Sequence, residues 1–324
     1  MHLPAFLSAG AFVFVKVIKL PFRIKVPNEY DLLSSVHSWI YPDIQPVPEQ
    51  TGAGFFGRAY DFGHQHVVLV IRQSKPGKTL QITHSSCDVS TKDLRAMVER
   101  TLNLKLEVGD ALKQMSEDPV IAHLVPKVAG VRPYMSPTPF EALIKTIIQQ
   151  QVSYRAANIF TKRMILELTK PVMFEDSRWY YFPSAQTMSN AGLDGLREFG
   201  FGYKAEYIHN AAMLAVKGNL ALDALVGAPY EEVLERLKPI RGIGDWTVRV
   251  FSLAGLGNFT VFAYEDLVIQ KILGKLYNQG LRMTAKQVQK HAESWGVSNT
   301  MVLYFLMCAE VLGYLEEPTP AENP

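Results

Sequence analysis

An α+β protein is predicted from three observations. Short stretches rich in strand-forming residues, one of them alternating and the others separated by turns, crowd the first hundred positions. From about residue 110 that pattern gives way to apolar residues spaced three and four apart. A Gly-Ile-Gly turn, Gly242 to Gly244, then joins two such helical stretches. The expected architecture is a small antiparallel sheet with helices on one face, followed by a mostly α-helical part.

The elements follow in order. Residues 18–26 alternate as a strand, at a sheet edge or starting after Pro21, because proline cannot donate to a ladder. Tyr30 to Ile40 carries Leu32, Leu33, Val36 and Ile40 at the spacing of a short amphipathic helix. Phe55 to Phe62 and His66 to Arg72 read as a hairpin across Gly63-His64-Gln65, and Thr79 to His84 adds a strand. Thr91 is expected to cap a helix containing Leu94, Met97, Val98 and Leu102. From there on no strand is expected. Gly109 to Asp118 reads as a first helix or linker. Thr138 should cap the next helix, with Pro139 at the favoured first position. Phe140, Leu143, Ile144, Ile147 and Ile148 then form a buried stripe that ends at Gln149, Gln150 and Gln151. Ser153 caps Tyr154 to Leu168, and Met188 to Gly200 holds two short helical turns. Thr284 to Trp295 and Ser298 to Leu312 close the helical part, the last helix almost wholly apolar and therefore buried. Residues 315–324 read as a disordered tail.

Composition narrows the class. Of 324 residues, 48% are apolar and 20% charged, which describes an ordinary globular chain with room for a sizeable core. A net charge of +2 permits nucleic-acid binding only if the basic residues gather on one face. Two cysteines, Cys87 and Cys308, are too few for a disulfide framework and suit a reducing, intracellular setting. The eight histidines show no ligand spacing, so no metal is expected. Met1 to Val15 is apolar, but it lacks a basic leader, is followed by Lys16 and Lys19, and is too short to span a bilayer. Residues 1–17 are therefore read as a disordered or packed N-terminal extension, with a secretory leader as the alternative and no membrane partner.

Chemistry is concentrated in Leu237 to Ile272. Val233, Leu234 and Leu237 lie on one helical face that Pro239 ends. Gly242 and Gly244 bracket Ile243, and Asp245 is expected to cap the following helix, whose buried face holds Trp246, Val250, Phe251 and Ala254. Bare amides at a helix start above a glycine turn suit an anion such as a phosphodiester. The turn is neither a Walker loop nor a dinucleotide fingerprint, since no Gly-Lys-Ser/Thr follows and Thr247 takes the last glycine position. Asp266 lies twenty-two residues after Gly244, just before a helix begun by Leu267 and Ile269. Taken alone, it is an N-cap or a functional carboxylate; Trp246 is core or ring surface; Lys204 is solvated or meets a phosphate.

GIGDWTV followed by VFAYEDLVIQK resembles the helix-hairpin-helix plus Gly/Pro-Asp signature of the DNA glycosylase superfamily. PFEALIKTIIQQQVSYRAA and Gly200 to Ile208 are similar to further stretches of that family. Trp246 stands where the bifunctional glycosylase/lyases have lysine, as in the 3-methyladenine DNA glycosylase II (AlkA-like) branch. The resemblance implies an N-terminal α+β domain over 18–108 and an all-α helix-hairpin-helix glycosylase domain over 109–314, with one or two helical subdomains. It implies that Asp266 is catalytic and that Trp246 and Tyr264 belong to the substrate pocket. It places Gln150, Gln151, Lys204, Arg241, Gly242, Ile243, Gly244 and Thr247 at the DNA, with Gln151 as the wedge that fills the gap left by an extruded nucleotide. The hairpin backbone often holds a monovalent cation in that family. Two departures stand out. Ala263-Tyr264 replaces the usual proline before the aspartate, and Trp295 to Asn299 lacks the arginine and second aromatic that line the base pocket. Two cysteines also rule out the iron–sulfur cluster of some relatives.

The expected activity is therefore removal of a damaged base, such as 3-methyladenine, from double-stranded DNA in base excision repair. An ionised Asp266 would stabilise oxocarbenium character on the sugar. No hairpin lysine is present to form a Schiff base, so a monofunctional enzyme without cofactor is expected. Trp246 offers a π-face for a cationic alkylated base. The protein is expected to act as a monomer, in the cytoplasm at a nucleoid or in a nucleus. The alternatives are a glycosylase for oxidised or deaminated purines and a non-catalytic helix-hairpin-helix DNA-binding protein.

Overall fold

The computed structural model describes residues 21–316. Its N-terminal layer is a five-stranded antiparallel sheet of β1 (Phe22–Ile24), β2 (Gln50–Gly52), β3 (Phe55–Asp61), β4 (His66–Arg72) and β5 (Leu80–His84). The spatial order is β1-β5-β4-β3-β2. β1 starts just past Pro21 and lies at an edge, as the missing donor requires. Two helices, α1 (Leu32–His37) and α2 (Thr91–Thr101), cover one face. Leu32, Val36, Leu94 and Val98 meet Val67, Leu69 and Ile71 of β4 there. Ser90, not Thr91, caps α2: its side chain accepts the Asp93 amide. The short edge strand β2 has no alternating pattern of its own and was not expected.

The helical part comprises α3 (Gly109–Glu117), α4 (Val125–Val128), α5 (Pro139–Gln149), α6 (Tyr154–Leu168), α7 (Ala185–Glu198), α8 (Lys204–Val216) and α9 (Tyr230–Leu237). It continues with α10 (Asp245–Leu256), α11 (Leu267–Tyr277), α12 (Ala285–Ala292) and α13 (Asn299–Val311). Thr138 and Ser153 cap α5 and α6 as expected. α7 breaks at Gly192, whose φ of 69° divides it into the two turns read from sequence. Two buried clusters fill this part. One joins α5 and α8 to α10, and the other surrounds α13. Leu315, placed in the tail by composition, is buried and its carbonyl accepts from Lys275 Nζ. The expected extension over 1–17 and residues 317–324 lie outside the described residues. Among the described residues no helix is long and apolar enough to cross a membrane.

One expectation fails. The chain returns to β-structure after residue 110, as a hairpin of β6 (Val172–Phe174) and β7 (Ser177–Trp179). Its two-residue loop, Glu175-Asp176, has φ of 48° and 56°, a primed turn built without the glycine or asparagine that announces one. Phe174 and Trp179 pack on Ala59, Val68 and Val70, so the second face of the sheet is also covered. This explains why β4 is apolar at both parities. Gly57 allows the approach: a Cβ there would lie 2.6 Å from the Trp179 ring.

The sheet is locked to the helices by buried charge. Arg58, on the helix-covered face of β3, donates to Glu49 at 2.6 Å and to both oxygens of Glu141 at 2.8 and 2.7 Å. Lys145, one turn beyond Glu141 on α5, bonds both carboxylates. Burial alone would raise the Glu141 pKa, but Arg58 and Lys145 outweigh it and hold the group below its usual 4.5. Arg58→Met would leave two carboxylates short of a partner and should cost about 3–5 kcal/mol at pH 7, read by urea denaturation. Because the folded-state pKa of Glu141 is depressed, its contribution is present above about pH 4.5 and lost as pH falls below it. The gap between wild type and Arg58→Met should therefore narrow in acid.

Candidate active site

The glycine turn lies between α9 and α10. Ile240 and Ile243 amides donate to Leu237 and Ile240 carbonyls, winding the chain through two tight turns. Gly242 has φ of 89°, and a Cβ on it would sit 2.2 Å from the Tyr207 ring of α8. Only glycine meets both demands. Ile243 is buried, so it offers the surface only its backbone. Gly244, not Asp245, is the N-cap of α10, and no side chain caps that end. Asp245 is instead the first helical residue, drawn 2.8 Å from Lys238 Nζ, which lowers its pKa. The first amides of α10 thus remain available at the positive end of the helix.

The glutamines at the end of α5 have different fates. Gln149 borders a recess described below. Gln150 turns inward: its Nε2 donates to Gly242 O at 2.7 Å and to Thr247 Oγ1 at 2.9 Å. Thr247 is itself buried, so the pair ties the glycine turn to α5 rather than facing outward. Gln151 is exposed, with φ of 55°, and its Oε1 accepts from Tyr203 OH at 3.0 Å. Lys204 is neither solvated nor at the surface. It is 3% exposed, and its Nζ donates to the carbonyls of Ile148 at 2.6 Å and Gln150 at 3.1 Å, completing the C-terminus of α5. Burial lowers its pKa. Arg241 is exposed and paired with Glu206.

Asp266 is the N-cap of α11. Its Oδ1 accepts the Val268 amide at 2.8 Å, and its Oδ2 accepts from Trp246 Nε1 at 3.1 Å. The residue therefore caps a helix, as one reading had it, and its carboxylate is half-exposed beside the glycine turn. Trp246 lies on the face of α10 toward that carboxylate. Tyr264 does not; it packs with Phe262 on the cluster around α13, ring centroids 5.9 Å apart.

A recess opens one turn further along α10. Val250 lines it with Trp39, Glu49, Lys145, Gln149 and Tyr154. The Trp39 ring stacks on Tyr304 at 5.7 Å and meets Tyr154 edge-on at 5.7 Å. The Tyr154 hydroxyl donates to Trp39 O, and the Trp39 indole donates to Tyr304 OH. Sequence reasoning missed Trp39, Tyr154 and Tyr203. Trp39 read as the tail of an amphipathic helix and Tyr154 as the first residue of another. Tyr203, 52% exposed within a glycine turn, was the one with a signal.

Residues 144–297 match the family model described as HhH-GPD superfamily base excision DNA repair protein. The chain is 30% identical over 135 residues to a putative DNA-3-methyladenine glycosylase, YfjP, of Bacillus subtilis, covering 41% of this chain and 46% of that one. It spans about half the length of the first curated relatives it matches. Its fold is similar to that of a 3-methyladenine DNA glycosylase from Archaeoglobus fulgidus, with a TM-score of 0.81, 24% identity and coverage of 91% and 100%. It is also similar to an 8-oxoguanine glycosylase/lyase from Clostridium acetobutylicum, with a TM-score of 0.71, 17% identity and coverage of 92% and 99%.

Two substitutions check the geometry. Gly242→Ala should cost about 2 kcal/mol or more, from strain at positive φ and the Tyr207 clash. Lys204→Met should cost about 1–3 kcal/mol for each carbonyl it strands. Thermal unfolding reads both.

Proposed function

We propose that this chain, whose residues 144–297 match the family model described as HhH-GPD superfamily base excision DNA repair protein, is a monofunctional DNA glycosylase acting on damaged purines. The observation that carries the reading is the Trp246–Asp266 hydrogen bond, which sets a carboxylate next to an uncapped helix start. The amides of α10 and the glycine turn would hold a phosphate. Carbonyl oxygens of the glycine turn would hold a monovalent cation, which would supply positive charge for phosphate binding, while Asp245 is turned to Lys238.

Gln151, braced by Tyr203, would fill the stack as the nucleotide leaves, and the base would enter the recess beside Trp39 and Val250. Asp266 would face the sugar as the N-glycosidic bond lengthens. Its Oδ1 is spent on the helix cap and its Oδ2 on the indole, so the carboxylate is held in one orientation. Each oxygen keeps a further lone pair. The negative charge stabilises the oxocarbenium ion and orients the attacking water.

Among the described residues no lysine stands at the hairpin position used for lyase chemistry. Trp246 occupies the hairpin position, Lys204 Nζ is buried against carbonyls, and Lys145 is committed to Glu49 and Glu141. Aromatic surface from Trp246, Trp39 and Tyr154 favours an electron-poor alkylated purine.

Duplexes with single 3-methyladenine, 1-methyladenine, hypoxanthine or 8-oxoguanine lesions decide the class. Base release with an intact abasic strand, and no borohydride-trapped adduct, is the expected result. Asp266→Asn should lower release about a hundredfold or more while duplex binding persists. Release undiminished in that variant would remove the assignment.

A further inference from the structure

The loop that delivers Asp266 runs Phe262-Ala263-Tyr264-Glu265, without a proline to stiffen it. Phe262 and Ala263 are anchored in the core, and α11 begins at Leu267. Between these fixed points the bonds made by the loop's own segment are local. The Asp266 amide donates to Ala263 O, and Gln270 Nε2 donates to Tyr264 O. Neither ties the loop to α10.

Two side chains of α10 do. Trp246 reaches Asp266, and Arg249 Nη1 donates to both oxygens of Glu265, at 2.6 and 2.8 Å. Trp246 and Arg249 are three residues apart and share a face of the helix. The residues they hold are neighbours in the chain. Arg249 and Glu265 are 31% and 34% exposed, so solvent screens the pair only in part. Its consequence is geometric: Trp246 ties the loop to α10 at Asp266 and Arg249 ties it at the residue before, so the loop backbone is held to that helix at two points and not at one.

We propose that Arg249 and Glu265 are positioning residues, whose ion pair holds the backbone of Tyr264 to Asp266 and so replaces the stiffness of a proline. The catalytic meaning of this restraint rests on the glycosylase reading; the restraint itself does not. Arg249→Gln, Glu265→Gln and the exchanged double variant Arg249→Glu/Glu265→Arg test it by two readouts. Amide hydrogen exchange over residues 263–268 of the free protein should quicken about tenfold in each single variant and return toward wild type in the double. Single-turnover base release from duplex DNA methylated with dimethyl sulfate should slow about tenfold in the single variants, with duplex Kd unchanged, and recover in the double. Exchange unchanged in both single variants overturns the proposal, whatever the release rate. Faster exchange with an undiminished release rate overturns the positioning role. A wild-type protein that releases no base from any lesion overturns the glycosylase reading, and exchange still decides the restraint.

Discussion

One hydrogen bond, from the Trp246 indole to Asp266, joins the two parts of the site. Trp246 is the second residue of α10, so its position follows from how the glycine turn starts that helix. Asp266 starts α11, so its position follows from where that helix begins. The turn in turn depends on its surroundings. Gly242 lies flat on Tyr207, its carbonyl takes the Gln150 amide, and Lys204 completes the helix end that carries Gln150. The turn, the exposed Gln151 and the carboxylate are thus connected through few and short links. Arrangements of this kind transmit misplacement: a shift of the turn moves the carboxylate with it.

The buried charges serve a different end. An Arg–Glu–Lys–Glu cluster inside a protein is seldom the most stable solution, since desolvation offsets much of the attraction. Here it is balanced, two cations against two anions, and directional. Arg58 comes from the sheet, Glu141 and Lys145 from α5, and Glu49 from the segment before β2. Hydrophobic contact alone would let the sheet slide over α5. The bidentate Arg58–Glu141 geometry admits one register. Because Lys145 and Glu49 also border the recess, the register of the sheet sets the shape of that cavity.

Much of this was legible in the sequence, for identifiable reasons. β3 and β4 announce themselves by stretches rich in strand-forming residues on either side of Gly63-His64-Gln65, and α5 and α6 by Thr138-Pro139 and Ser153, because those signals are local. The glycine turn and Asp266 were legible as a motif, and the motif located them together. What local signals could not convey was direction. Gln150 and Lys204 carry polar side chains that composition assigns to solvent, yet the Gly242 carbonyl draws Gln150 inward and the orphan carbonyls at the end of α5 draw Lys204. Asp245 looks like a cap, but the nearby Lys238 draws it away. The recess was illegible because Trp39, Glu49 and Tyr154 come from distant segments whose proximity is set by packing alone.

The β6–β7 hairpin carries a consequence for how the chain is made. Ala59 donates its amide to Tyr180 O, and the sheet face bearing Val68 and Val70 is sealed by Phe174 and Trp179. More than a hundred residues separate Val70 from Trp179. As the polypeptide leaves the ribosome, the strands can pair early, but one side of the sheet stays greasy until the β6–β7 hairpin has emerged. Residues 21–100 therefore rely on a later segment to cover one face of their sheet. Expressed alone, they would present a sticky surface to chaperones and to one another.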